Sequence, residues 1–219
     1  MTRLIYFLVG LSFLLYLFPE IDLFISSLFY MEPKGFFFKD ELLFRFLYRS
    51  VNVLSVTITI LVVLAYVYQH FRNKEFKYFN KKALIYIFLV FSLGSGVVVN
   101  AVLKDNFGRA RPKNIELFGG NKEFSKVMVY NSKYSGKCKS FSCGHCSFAL
   151  GFIAFYFLFR KRWILIASLS YGLLVSLGRV VQGGHFFSDF VFSFLVMLLT
   201  AKIVYYFMYE KSRNKVVLG

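Results

Sequence analysis

Three short stretches of this chain place cationic and titratable side chains where apolar runs end. The first is Lys104-Asp105-Asn106-Phe107-Gly108-Arg109-Ala110-Arg111-Pro112 and the second is Ser142-Cys143-Gly144-His145. The third runs from Gly178-Arg179 through Gln182-Gly183-Gly184-His185 to Asp189. Ionisable groups are costly at a membrane boundary, so a functional role is their default reading. Their types suit phosphoryl transfer, which needs positive charge on the equatorial oxygens, an in-line nucleophile and an acid for the leaving oxygen. Lys104, Arg111 and Arg179 supply the charge, and the planar arginine fork fits a phosphate. Backbone N–H groups around Cys143 and Gly144, at a helix N-terminus, add donors, and glycine lets the phosphate approach the main chain. His185 and Asp189 stand four residues apart, so on a helical turn the carboxylate reaches the imidazole and leaves its other nitrogen free to attack phosphorus. His145 is then the proton donor to the leaving alcohol, and the base for the water that cleaves a phosphohistidine.

The three stretches resemble the signature motifs of the type 2 phosphatidic acid phosphatase family, K-x6-R-P, P-S-G-H and S-R-x5-H-x3-D, and the resemblance covers Lys104 to Asp189. It implies a six-helix membrane fold, the same roles for these residues, and a reaction that uses neither metal nor cofactor. Cys143 stands where the family has Ser, Ser142 where it has Pro, and Gly178 where it has Ser. A thiol is a poorer donor than a hydroxyl, so one phosphate contact weakens while His145, His185 and Asp189 stay intact. Ser140-Phe141-Ser142-Cys143-Gly144 and Gln182-Gly183-Gly184-His185-Phe186-Phe187-Ser188-Asp189 are most similar to the lipid A 4'-phosphatase branch, which tends to carry Cys at the Ser position and further loop cysteines. That branch implies a lipid A substrate. Phosphatidylglycerol phosphate and undecaprenyl diphosphate satisfy the same site chemistry.

The elements that must position these groups are membrane helices. Of 219 residues, 58% are hydrophobic and only three are Pro, which is not the mix of a soluble domain. Apolar runs read as six transmembrane helices over about 4–18, 51–69, 83–103, 146–159, 163–178 and 190–209, in one all-α integral membrane domain. The active-site loops are then 104–145 and 179–189. In the first loop, Ile21 to Tyr30 and Glu32 to Arg49 read as interfacial helices. Gly94-Ser95-Gly96 permits close helix packing in the third span, and Asn100 serves either a neighbouring helix or the substrate.

Parity opens the loops after spans one, three and five on one face. Positive charge on the other loops puts the termini in the cytoplasm and, in a bacterial inner membrane, the site in the periplasm. The formal charge of +16 fits loops lying on anionic lipid or facing an anionic lipid substrate. Arg109, Lys113, Lys122, Lys126, Lys133, Lys137 and Lys139 read as that general attraction. A single Trp, and no room for a soluble basic domain, argue against nucleic acid.

Cys138, Cys143 and Cys146 are the only cysteines, and one pair could form a disulfide in an oxidising compartment. Cys143-Gly144-His145-Cys146 also spells a redox motif, and Cys143, His145, Cys146 and His185 could hold zinc. The redox motif needs a thioredoxin-like context, and three cations aimed at the same place disfavour zinc. A non-catalytic lipid-binding protein is the remaining alternative, although it has no need of two histidines and an aspartate at phosphotransfer spacing.

Overall fold

The computed structural model describes residues 1–211. Helix α1 (Thr2–Leu17) is followed at Pro19 by α2 (Glu20–Ser27), bent away by 92°. A two-stranded hairpin pairs β1 (Tyr30–Met31) with β2 (Gly35–Phe36). Four long apolar helices follow or close the chain: α3 (Leu42–Arg72), α4 (Lys81–Lys104), α6 (Arg162–Val181) and α7 (Phe187–Glu210). Between α4 and α6 lie a long loop and a shorter apolar helix, α5 (Gly144–Phe159). Among the described residues, four helices are therefore long and apolar enough to cross a membrane, and the bent α1–α2 pair is a fifth candidate.

Local chemistry sets the ends. Helix α3 contains neither Gly nor Pro and stops at Asn73, in the left-handed conformation that ends helices. The Oδ1 of Asn80 caps α4 by accepting from the Ala83 N–H at 2.9 Å. The expected interfacial helix over 32–49 does not form as one element. The hairpin occupies its start, and 42–49 continue without a break into the following span, because nothing between Leu42 and Arg72 interrupts an α-helix. At 31 residues α3 is about 47 Å long, more than a bilayer core needs. The other interfacial helix is present as α2, but it docks on α7 with Asp22 and Ser26 buried instead of lying free on a lipid surface.

Helix α5 is the centre of the bundle, packed between α4, α6 and α7, and nearly all its residues from Gly144 to Ala154 are buried. Shortness is tolerable there because its surroundings are protein. Small residues allow the approach: a Cβ on Gly151 would lie 2.6 Å from the Phe91 ring, one on Gly172 2.5 Å from Leu150, and one on Gly94 2.7 Å from Met197. Beside Gly94, the Ser95 and Ser147 hydroxyls meet at 2.8 Å. Large apolar side chains such as Val53, Val56, Ile60, Leu61 and Leu64 of α3 face outward, as lipid contact requires.

The long loop is a folded unit. Ile115, Phe118, Tyr134 and Cys138 form a small core with Phe36 of the hairpin and Phe186. Gly108 sits in it with φ +69°, and an added Cβ would lie 2.5 Å from the Asn131 carbonyl and 2.6 Å from the Ser135 nitrogen. Both neighbours are backbone and cannot turn aside. Gly108→Ala is expected to cost about 2 kcal/mol or more, read as a fall of the thermal unfolding midpoint in detergent. Gly10→Ala, where an added Cβ meets nothing within 4 Å, is the control and is expected to leave the midpoint in place.

Candidate active site

All three motif stretches meet at one end of the bundle, and Arg109 ties the first of them to the third. From the sequence alone, Arg109 reads as general headgroup attraction. The structure overturns that reading: its side chain is 1% exposed and fully engaged. One amino group donates to Asp189 Oδ1 at 2.6 Å and to Ser188 Oγ at 2.8 Å, the other to Asp22 Oδ2 at 2.7 Å, and Nε to the Ser125 carbonyl at 2.9 Å. The guanidinium also lies over the Phe186 ring, 4.4 Å from its centroid. Burial alone would lower the Arg109 pKa, but Asp189 and Asp22 outweigh it and raise it above the ordinary value. The Asp22 carboxylate in turn accepts from the Ser188 N–H at 2.8 Å, so α2 is pinned to the start of α7.

His185 is buried on the other side of Asp189. Its Nδ1 is 2.7 Å from the Ser140 carbonyl oxygen and 3.5 Å from Asp189 Oδ2. The backbone carbonyl is therefore the main acceptor for an Nδ1 proton, which leaves Nε2 unprotonated. Asp189 acts mostly at one remove. Its Oδ2 accepts from the Ser140 hydroxyl at 2.6 Å and from the Phe186 N–H at 3.0 Å, and so holds both the residue that orients His185 and the turn that carries it. Burial pushes the His185 imidazole down to about 4, against the pull of Asp189, so it is neutral at pH 7.

His145 stands in the first turn of α5. Its ring stacks on Tyr48 at 4.2 Å between centroids, and its buried Nε2 makes no hydrogen bond to the described residues. Lys104 and Asn100 line a small cavity of about 220 Å³ with Gly144 and His145. Asn100 serves its own helix, donating to the Ser95 carbonyl at 2.7 Å, and also meets Lys104 Nζ at 3.4 Å. A Cβ on Gly144 would fall 2.5 Å from the Asn100 amide oxygen, which accounts for glycine there. Across Tyr48, Arg179 and Arg111 line a second cavity of about 380 Å³. The Arg179 guanidinium lies 4.8 Å from the Tyr48 ring centroid and donates to Gln182 Oε1 at 3.0 Å. Gly184 leaves room for it, since a Cβ would sit 2.4 Å from its amino group. At Gly178, where the family pattern has Ser, an added Cβ would stand 2.9 Å from the Phe44 ring.

Cys143 and Cys146 form a disulfide across this first turn, and Cys138 is free and buried. A disulfide sulfur carries no proton, so position 143 can offer an anion only its backbone. Its Sγ instead accepts from the Cys146 N–H at 3.1 Å and caps α5. Neither sulfur is then a thiolate for zinc. The bonded pair is buried at the head of a bundle helix, with none of the sheet that a thioredoxin-like redox site packs on among the described residues.

Asp22, Arg109, Tyr48 and Ser140 escaped the motif reading. Asp22 had left a signal, since a lone acid opening an apolar run needs a cation somewhere. Arg109 was hidden among the variable positions between Lys104 and Arg111. Ser140 contributes a backbone carbonyl, which no residue type announces. Of the loop lysines read as headgroup contacts, Lys133 pairs with Glu123 and Lys139 with Asp105 at the surface.

Arg109→Met strands two buried carboxylates and is expected to cost about 3–5 kcal/mol, seen as loss of folded protein by gel filtration and a lower unfolding midpoint. Asp22→Asn, which leaves the Arg109–Asp189 pair intact, is expected to cost less. In denaturant without reductant, alkylation is expected to modify Cys138 alone, and all three cysteines only after reduction.

The sequence profile of the PAP2 superfamily matches residues 85–213 of this chain. A lipid A 4'-phosphatase of Francisella tularensis subsp. novicida (strain U112) is 34% identical over 201 residues, covering 90% of either chain. A lipid A 4'-phosphatase of Rhizobium leguminosarum is 28% identical over 206 residues, covering 83% of this chain and 84% of the relative. No solved structure matches. The profile takes in all three motif stretches and more than half of the chain, and on that ground the protein belongs to the PAP2 superfamily.

Proposed function

We propose that this protein is a lipid phosphatase that removes the 4'-phosphate of lipid A. One geometric observation carries the chemistry: Nδ1 of His185 is tied to a backbone carbonyl at 2.7 Å, which leaves Nε2 unprotonated and free to act as nucleophile. The similarity to one lipid A 4'-phosphatase over 90% of the chain, and to another over 83%, supports the substrate.

Lys104, Arg111 and Arg179, with the backbone N–H groups at Cys143 and Gly144, draw the phosphate in and spread its charge. His185 Nε2 attacks phosphorus as the bond from phosphorus to the lipid oxygen breaks, and His145, protonated once the bound phosphate offsets the surrounding cations, gives that proton to the departing alcohol. Water then attacks the phosphohistidine with His145 as base, releasing phosphate and restoring His185. The carboxylates of Asp22 and Asp189 exceed the charge of Arg109 by one. That surplus stabilises the positive charge that develops on the His185 ring.

Six spans (α1, α3, α4, α5, α6 and α7) fit this reading, with α5 short because protein surrounds it. On this reading the site faces the periplasm from a bacterial inner membrane and the termini lie inside, a placement supported by the positive charge on the other loops.

Purified protein in detergent with lipid A and a chelator is expected to release phosphate and leave a lipid lighter by one phosphate in mass spectra. His145→Ala is expected to slow this by about a hundred- to ten-thousandfold, and His185→Ala to abolish it, with folding retained in both. Near-normal rates in either variant would sink the mechanism. Release from phosphatidylglycerol phosphate but not lipid A would move the substrate and keep the chemistry.

A further inference from the structure

The cavity that holds Arg111 and Arg179 carries more positive charge than one phosphate needs. Lys39, Arg45, Arg49 and Lys113 also line it, and Asp40 is its one acid. Six cations against one carboxylate leave a formal surplus of five (6 − 1). A phosphate monoester brings only about −1.5 to −2, a charge already met by Arg111, Arg179 and Lys104. Among the described residues, none of Lys39, Arg45, Arg49 and Lys113 is paired with a carboxylate.

The extra cations come from three separate elements, and the backbones of two of them are tied to the turn before His185. Arg45 and Arg49 are one turn apart on α3, so they share a face with each other and lie beside Tyr48. Lys39 is in the turn after β2, and its carbonyl accepts from Gln182 Nε2 at 3.3 Å. The Lys113 N–H donates to the Gly183 carbonyl at 3.1 Å. Burial, then Arg111, Arg179 and Lys39, push the Lys113 ammonium below its ordinary range, so Lys113 feels three of the other cations of this cavity. Like charges brought together by the fold repel, and an anion between them relieves that repulsion. They also share walls with Arg111 and Arg179, whereas Lys133 and Lys139 on the loop surface have acidic partners.

We propose that Lys39, Arg45, Arg49 and Lys113 form a second anion subsite, which takes a further acidic group, phosphate or carboxylate, carried by the same lipid headgroup whose scissile phosphate Arg111 and Arg179 hold. This rests on the phosphatase reading and adds to it: the preferred substrate bears at least two acidic groups.

The test compares the Arg45→Gln/Arg49→Gln protein with the wild type on three lipids in neutral-detergent micelles. These are lipid A with only the 4'-phosphate, lipid A with both phosphates, and lipid A extended with a carboxylate-bearing sugar. The double variant is expected to raise KM for at least one of the two multiply acidic lipids about tenfold more than for the singly phosphorylated one. Whichever lipid responds identifies phosphate or carboxylate as the group bound. Arg45→Lys/Arg49→Lys, which keeps the charge, is expected to recover most of the difference. An equal KM shift on all three lipids, or none, would overturn the second subsite while leaving the phosphatase reading intact. So would a shift that tracks added phosphatidylglycerol instead of the substrate, since that is general surface attraction. Wild-type protein that releases phosphate from none of the three would defeat the phosphatase reading, and this proposal with it.

Discussion

A buried arginine between two buried carboxylates sets the geometry of this protein. Arg109 comes from the long loop, Asp22 from the short helix after the bend, and Asp189 from the first turn of the last helix. Charges removed from water are stable only when their partners are placed well, so the three segments must arrive together. With them arrive Ser140 and Ser188, and through Ser140 the orientation of His185. The energetic demand of one ion cluster thus becomes the precision of the site beside it.

The bundle supplies the other half of that precision. Helix α5 begins at the site and runs down the middle, so His145 is anchored by the most enclosed helix of the chain. Small residues at the contacts let α4, α6 and α7 close around it. The disulfide caps its first turn from within, with Cys143 in the position where the family pattern has a hydroxyl. What that position loses as a side-chain donor, the backbone N–H groups of the helix start can still provide. Tyr48 separates the two cavities, stacked on His145 and facing Arg179, and so links α3 to the chemistry.

The motif residues were legible because chemistry constrains both type and spacing. Lys104, Arg111, His145, Arg179, His185 and Asp189 were each named from the chain, and the fold brings their stretches to one end. Helix positions were legible too, since a long apolar run allows little else in lipid. Boundaries were less so: the end of the first loop was read as a separate interfacial element, whereas α3 begins at Leu42 and runs through it. A change in hydrophobicity at Ser50 does not interrupt a backbone that has neither Gly nor Pro to stop it. For Asp189, spacing suggested direct contact with His185. The structure gives 3.5 Å, with the Ser140 carbonyl closer, because a carboxylate committed to Arg109, Ser140 and Phe186 has little left for the imidazole.

By itself, then, the sequence determined the class of the protein, its superfamily signature and the groups available for chemistry. These depend on residue type and on separations of a few positions, which a helix or tight turn converts directly into proximity. Tertiary structure alone decided that Arg109 is buried and not a headgroup contact, that Asp22 is its partner, and that cations from α3 share a cavity with Arg111 and Arg179; the structure also shows which two cysteines pair. The ion pair and the shared cavity join positions tens of residues apart, and the disulfide selects one pair of three cysteines. The ion pair and the cavity are set by which surfaces meet once the helices pack, which no local pattern encodes, whereas the disulfide needs only the first turn of α5 to bring two sulfurs three residues apart together.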